Sequence, residues 1–124
     1  RLRTVTGVQT CALPIFELIK AYFESIACEG DFALNGQEAI EMIKKKRYDI
    51  CFMDLQMPVM NGFAATQIIR QEISQELPIV ALTAADATED KEKCREIGFN
   101  DFLSKPFNMD DFKKKILTYG RKYN

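Results

Sequence analysis

The sequence predicts an α/β domain built on a doubly wound parallel sheet, and three observations carry that prediction. From residue 31 onward, short apolar runs alternate with segments of helical periodicity. Two of the runs, Ile50-Cys51-Phe52-Met53 and Ile79-Val80-Ala81-Leu82, are apolar throughout, which fits strands buried in an open α/β sheet. Three successive runs each deliver one polar residue at the C-terminal end: Asp54, Thr83 and, after Phe102-Leu103-Ser104, Lys105. In a parallel sheet joined by right-handed crossovers those ends share one edge.

Taken in order, the elements are unequal in quality. Residues 1–15, RLRTVTGVQTCALPI, lack an initial Met and show poor periodicity. Residues 5–15 resemble the in-frame translation of a common sequencing-library adapter. We therefore read 1–15 as a non-native segment standing in place of the first strand, and 16–124 as the domain proper. A strand at residues 3–8 is expected to be aberrant, because Gly7, Thr4 and Thr6 make a poor core strand. The Arg-rich start also lacks the apolar stretch of a signal peptide. Phe16, Ile19, Tyr22, Phe23 and Ile26 recur at helical spacing and predict a first helix over 16–25.

Residues 31–34 read as a short second strand near an edge. Asn35, with Glu38 three residues on, reads as a helix cap, and Ala39, Ile40 and Ile43 face inward. Lys44-Lys45-Lys46-Arg47 closes that helix as a complement to its dipole rather than as a nucleic-acid patch. Residues 48–54 form the third strand. A loop with Pro58 follows, then Asn61-Gly62, then a helix burying Ala65, Ile68, Ile69 and Ile73. Pro78 starts the fourth strand. Thr88 is expected to cap a fourth helix that runs to Ile97 and stops at Gly98. That helix is almost entirely charged, with Cys94 and Ile97 its apolar residues, so it should be weakly held and free to move. Phe102 begins the fifth strand. Asn108 caps the last helix, where Asp110–Lys114 and Asp111–Lys115 stand at i,i+4 and Phe112, Ile116 and Tyr119 form the inner stripe.

Composition narrows the chemistry. The chain has 124 residues, enough for one domain with a core, with 47% hydrophobic and 28% charged residues and a net charge of −1. No global field draws nucleic acid or an anionic membrane, and no apolar run approaches the ~20 residues that span a bilayer. There is no histidine, which removes His-based zinc sites, Ser-His triads and an internal histidine phosphodonor. Cys11, Cys28, Cys51 and Cys94 show no CxxC spacing and read as reduced thiols of a cytoplasmic protein. The carboxylate, hydroxyl and ammonium at the sheet edge suit a phosphoryl group: the carboxylate attacks, the cation offsets developing charge, and the hydroxyl donates to a phosphoryl oxygen.

MDLQMPVMNGF (53–63), ALTA (81–84) and SKPF (104–107) resemble, in order and spacing, the three signature blocks of the response-regulator receiver domain. The resemblance covers roughly residues 16–119. It implies a flavodoxin-like (βα)5 fold with strand order 2-1-3-4-5. It also implies Asp54 as phosphoacceptor, Thr83 bonding a phosphoryl oxygen, and Lys105 pairing with the phosphoryl group. Phe102 and Pro106 would be switch positions, with Lys105-Pro106 in the cis form. Mg²⁺ would be held by Asp54, the backbone carbonyl of Gln56 and an acidic pair. That pair should fall near Thr10 and Cys11, and neither is acidic, so weak Mg²⁺ binding and poor phosphorylation are expected of this chain. A replaced central first strand loses core packing on both faces, so reduced stability is expected as well.

The donor would be a sensor histidine kinase or a histidine phosphotransfer protein, with no direct contact to nucleic acid or membrane. The first block is close to receivers attached to hybrid kinases. The output face would be the fourth helix, fifth strand and fifth helix, and the domain would assist its own phosphotransfer without being a dedicated enzyme. Two other readings stand beside this one. A receiver-like interaction module that is never phosphorylated fits the missing acidic pair. A flavodoxin-like cofactor enzyme is disfavoured by the lack of a phosphate-binding loop and of any Trp to stack a flavin.

Overall fold

Five strands form one parallel sheet: β1 (Arg3–Gly7), β2 (Glu29–Ala33), β3 (Ile50–Asp54), β4 (Ile79–Ala84) and β5 (Asp101–Lys105). Their spatial order is β2-β1-β3-β4-β5, as expected. The structure is a computed structural model describing residues 3–7, 29–33, 35–55, 59–84, 88–105 and 109–120. Four helices lie among these residues: α1 (Gly36–Lys45), α2 (Gly62–Ile68), α3 (Thr88–Ile97) and α4 (Met109–Gly120). The helix expected over 16–25 and the cap expected at Asn108 lie outside the described residues.

The apolar strands are buried on both faces. Cys51, Met53, Ile79 and Ala81 pack with Ala39 and Ile40 of α1, Ala65 of α2 and Cys94 of α3. The alternate residues Ile50, Phe52, Val80 and Leu82 are equally buried and belong to the opposite face. This is why the runs read as continuously apolar.

β1 occupies 3–7 of the expected 3–8 and, for all its poor core sequence, pairs on both sides, Thr4 with Gly30 and Ile50, Gly7 with Ala33 and Met53. A central strand is held by backbone hydrogen bonds to two neighbours. Threonine and glycine supply those as well as any residue does, and strand propensity yields to that context. β2 begins two residues earlier than expected, at Glu29, and β3 two residues later, at Ile50.

The helix ends follow their sequence signals closely. Asn35 Oδ1 accepts from the Glu38 N–H at 2.9 Å, capping α1. Asn61 does the same for α2, its Oδ1 accepting from the Ala64 N–H at 3.0 Å. α2 continues as a π-helical turn over Ile69–Ile73, which buries Arg70, a residue absent from the expected apolar stripe. Thr88, expected as a cap, is the first residue of α3. α3 stops at Gly98, whose φ of +125° is open to glycine and strained for any other residue. In α4, Lys115, which stands at i,i+4 from Asp111, reaches Asp101 at the base of β5, at 2.7 Å.

Candidate functional site

The sheet brings three of the residues singled out in the sequence to one edge. Asp54 ends β3 and is 3% exposed; Thr83, on β4, is 1% exposed; Lys105 ends β5. The register fixes their relative heights. Asp54 pairs with Leu82, and Leu82 with Leu103; Thr83 pairs with Ser104, and Ala84 with Lys105. Along the strand direction, Thr83 therefore lies one residue beyond Asp54 and Lys105 two beyond, steps of about 3.3 Å each. Thr10, Cys11, Gln56 and Pro106 lie outside the described residues, as does the Lys105 side chain.

Local packing explains why Asp54 stands where it does. The Leu55 N–H donates to the Leu82 carbonyl at 3.3 Å, and the Gly62 N–H donates back to the Leu55 carbonyl at 3.4 Å, folding the loop against its strand. A Cβ on Gly62 would sit 2.5 Å from the Asp54 carbonyl oxygen, so only glycine lets α2 start this close. The loop itself carries strain. Val59 has φ +66°, an outlier for a β-branched residue, and its side chain is 84% exposed. Met60 anchors the loop's far side, its carbonyl accepting from the Gly36 N–H at 2.9 Å.

Thr83 is the chemically informative residue. Its Oγ1 is buried and has no hydrogen-bond partner among the described residues. A buried hydroxyl left in that state costs about 1–3 kcal/mol, so strain reservoirs and ligand sites are where such groups are tolerated. Phe102 is half-buried on β5 with the Arg95 guanidinium 5.5 Å from its ring centroid. A second cation, the Lys93 ammonium, lies 4.4 Å over Phe63, whose ring meets Phe99 edge to face at 6.3 Å. These two contacts fasten a helix with little apolar surface of its own. Three residues before Asp54, burial pushes the Cys51 thiol up to about 12, the nearby Arg70 only partly opposing it.

Among the described residues the donors offered to a hard divalent cation at this edge are few. Among the described residues no three His, Cys, Asp or Glu side chains could hold a metal ion together. Asp54 is the one described carboxylate that ends a strand. An octahedral oxygen-seeking ion such as Mg²⁺ asks for more than that.

Sequence reading missed Arg70 and Thr66, both buried in the helical segment after the loop. It also missed the cluster at the base of β5, where Asp101 accepts from Lys115 and, at 2.9 Å, from the Tyr119 hydroxyl. Gly98 and Asn100, bonded by Arg70, and Lys115 and Tyr119, bonded to Asp101, are 14 to 30 residues from their partners in sequence, and no local pattern signals these pairs.

Comparison with known proteins gives a consistent result. A family profile described as the response regulator receiver domain matches residues 14–117. Hybrid signal transduction histidine kinase G of Dictyostelium discoideum is 41% identical over 97 residues, which is 77% of this chain but 3% of that kinase. The chain thus spans a small part of the curated relatives it matches. The co-crystal structure of the Saccharomyces cerevisiae histidine phosphotransfer protein Ypd1 with the receiver domain of its downstream response regulator Ssk1 is also similar. It superposes with a TM-score of 0.89 at 30% identity, covering 98% of this chain and 90% of that one. The receiver domain of a Pseudomonas aeruginosa sensor histidine kinase, with magnesium in its active-site cleft, superposes with a TM-score of 0.84 at 29% identity. That match covers 98% of this chain and 99% of the other.

Proposed function

This chain belongs to the response regulator receiver domain family, and from that premise we propose that it is the phosphoacceptor receiver of a phosphorelay, modified on Asp54. The observation that carries the reading is the orphaned hydroxyl of Thr83, buried one residue beyond Asp54 on the same sheet edge. A phosphoryl oxygen supplies the acceptor that this hydroxyl lacks. An Asp54 carboxylate oxygen attacks phosphorus, the bond from phosphorus to the donor's imidazole nitrogen breaks, and that nitrogen keeps the electron pair. The product is an acyl phosphate. Lys105 offsets the charge that develops on the phosphoryl oxygens.

These 124 residues hold no histidine, so the phosphodonor lies outside them: a sensor histidine kinase or a histidine phosphotransfer protein. Phosphate then shifts an equilibrium at α3, β5 and α4, with Phe102 and Pro106 as the switch positions. The domain works as a cytoplasmic signalling receiver and not as a dedicated enzyme. No helix of the described residues is long and apolar enough to cross a membrane. Mg²⁺ would find the Asp54 carboxylate and the Gln56 carbonyl. With Thr10 and Cys11 where an acidic pair is expected, we place its binding as weak and take residues 1–15 as non-native to the domain at 16–124.

Intact mass after incubation with acetyl phosphate and Mg²⁺ tests this. The arms are the chain as it stands, Asp54→Ala, and the chain carrying Thr10→Asp with Cys11→Asp. A phosphoryl adduct that Asp54→Ala abolishes is the expected result, stronger in the acid-restored chain. No adduct on a folded acid-restored chain would favour the second reading, an unphosphorylated interaction module, which the missing acidic pair supports.

A further inference from the structure

Arg70 makes contacts that the proposed chemistry does not use. It leaves the π-helical turn 9% exposed and donates from Nε to the Gly98 carbonyl at 2.9 Å and from Nη2 to Asn100 Oδ1 at 2.8 Å. Its Nη1 donates to the Ser74 carbonyl at 3.2 Å. Asn100 in turn grips the first residue of β4 twice: its N–H donates to the Ile79 carbonyl and its Oδ1 accepts from the Ile79 N–H, both at 2.8 Å. A Cβ on Gly98 would stand 2.9 Å from Arg70 Cγ, so the turn is fitted to the arginine stem. One side chain thus ties the helical segment after Asp54 to the turn from which β5 begins.

β5 needs such a fixture. It is an edge strand, paired with β4 alone. Its sequence, DFLSK, offers two adjacent apolar residues, Phe102 and Leu103, one for each face. A slip by one residue turns every side chain over but still leaves one apolar residue on each face, so hydrophobic patterning does not select the register here as it does in β3 or β4.

We propose that Arg70 is a positioning residue for the site: by holding Asn100 on Ile79 it sets the register of β5 on β4, and so brings Lys105 level with Ala84. The inference rests on the reading of Lys105 as the phosphoryl-facing cation, and its test separates the two.

The first arm is amide hydrogen exchange on the chain as it stands. Arg70→Met keeps the bulk of the stem and removes the donors; Arg70→Lys keeps one. Exchange at residues 101–105 should rise about 10- to 100-fold in Arg70→Met, the equivalent of one charge-assisted hydrogen bond, with Arg70→Lys between. Residues 50–54 should change little. Unchanged exchange in β5, or an equal rise across the whole sheet, overturns the proposal.

The second arm is a double-mutant cycle on the rate of adduct formation from acetyl phosphate, in the Thr10→Asp, Cys11→Asp chain. Arg70→Met should slow the reaction when Lys105 is present and add nothing in Lys105→Met. Additive losses would make Arg70 merely structural and overturn the positioning role. If Lys105→Met alone leaves the rate unchanged, the role given to Lys105 fails, and the positioning role falls with it.

Discussion

Replacing Thr83 by valine should make this protein more stable and less able to carry phosphate. Val is close to Thr in shape, so the substitution exchanges a buried hydroxyl for a methyl without opening a cavity. The Thr83 Oγ1 is buried with no partner among the described residues. Relieving it is worth about 1–3 kcal/mol, and burying the methyl adds up to about 0.8 kcal/mol. A net gain of at least about 1 kcal/mol follows, a rise in Tm of roughly 3–6 °C for a domain of this size. Thr66 is the internal control. Its hydroxyl is equally buried and equally unpartnered, but it belongs to α2 and to no strand. Urea unfolding should show Thr66→Val and Thr83→Val stabilised alike, while the mass assay shows the Asp54 adduct diminished in Thr83→Val alone. A Thr83→Val chain destabilised by about 1 kcal/mol or more would refute the reasoning, since it would mean the hydroxyl is bonded in the resting state.

Three further outcomes follow. Gly62→Ala drives a Cβ onto the Asp54 carbonyl oxygen, a backbone atom with no room to yield, and should cost about 1–3 kcal/mol in urea unfolding. At the base of β5, burial raises Asp101, but the Lys115 ammonium, the Phe102 N–H and the Tyr119 hydroxyl together hold it below the usual carboxylate range. Its stabilising contribution is therefore present above that range and lost as pH falls through the lowered value. Tyr119 is pushed up to about 12, by burial first and then by Asp101, so its contribution is present below the ordinary tyrosine range and is lost as pH rises through about 12. Asp101→Asn should return the Tyr119 phenol towards about 10, read by ultraviolet titration against Tyr119→Phe; an unmoved titration would sink the assignment. The Cys51 thiol, buried and pushed up to about 12, should resist iodoacetamide in the native protein and react only in denaturant, which peptide mass mapping will show.

The parts of the fold that sequence reading reached are those where chemistry acts locally. β3 and β4 announce themselves because strands buried on both faces must be apolar at nearly every position, and Asp54, last in β3, and Thr83, next to last in β4, stand out against that background. Asn35 and Gly98 were readable because caps and left-handed stops depend on one residue each. Arg70 was not readable. It falls beside Ile69 on an apolar helix, and its partners Gly98 and Asn100 lie 28 and 30 residues on. Lys115 illustrates the same limit, since its partner Asp101, half-buried at the start of β5, lies 14 residues away in sequence. β1 lies where the spacing puts it, but what holds it, backbone pairing on both sides, leaves no mark on its side-chain sequence.

That same strand governs how the chain assembles. β3, β4 and β5 are neighbours both in sequence and in space, so they can pair in the order they are made. β1 must enter between two strands, and its Gly7 meets Ala33 and Met53, residues 26 and 46 positions further along. Closing those loops delays the insertion. Until it happens, β2 and β3 each offer an open ladder to whatever extended segment arrives first, and the same segment of another molecule fits as well. Refolding is thus a race between an intramolecular guest and an intermolecular one. Dilution favours the first, so protein concentration sets the yield of monomer.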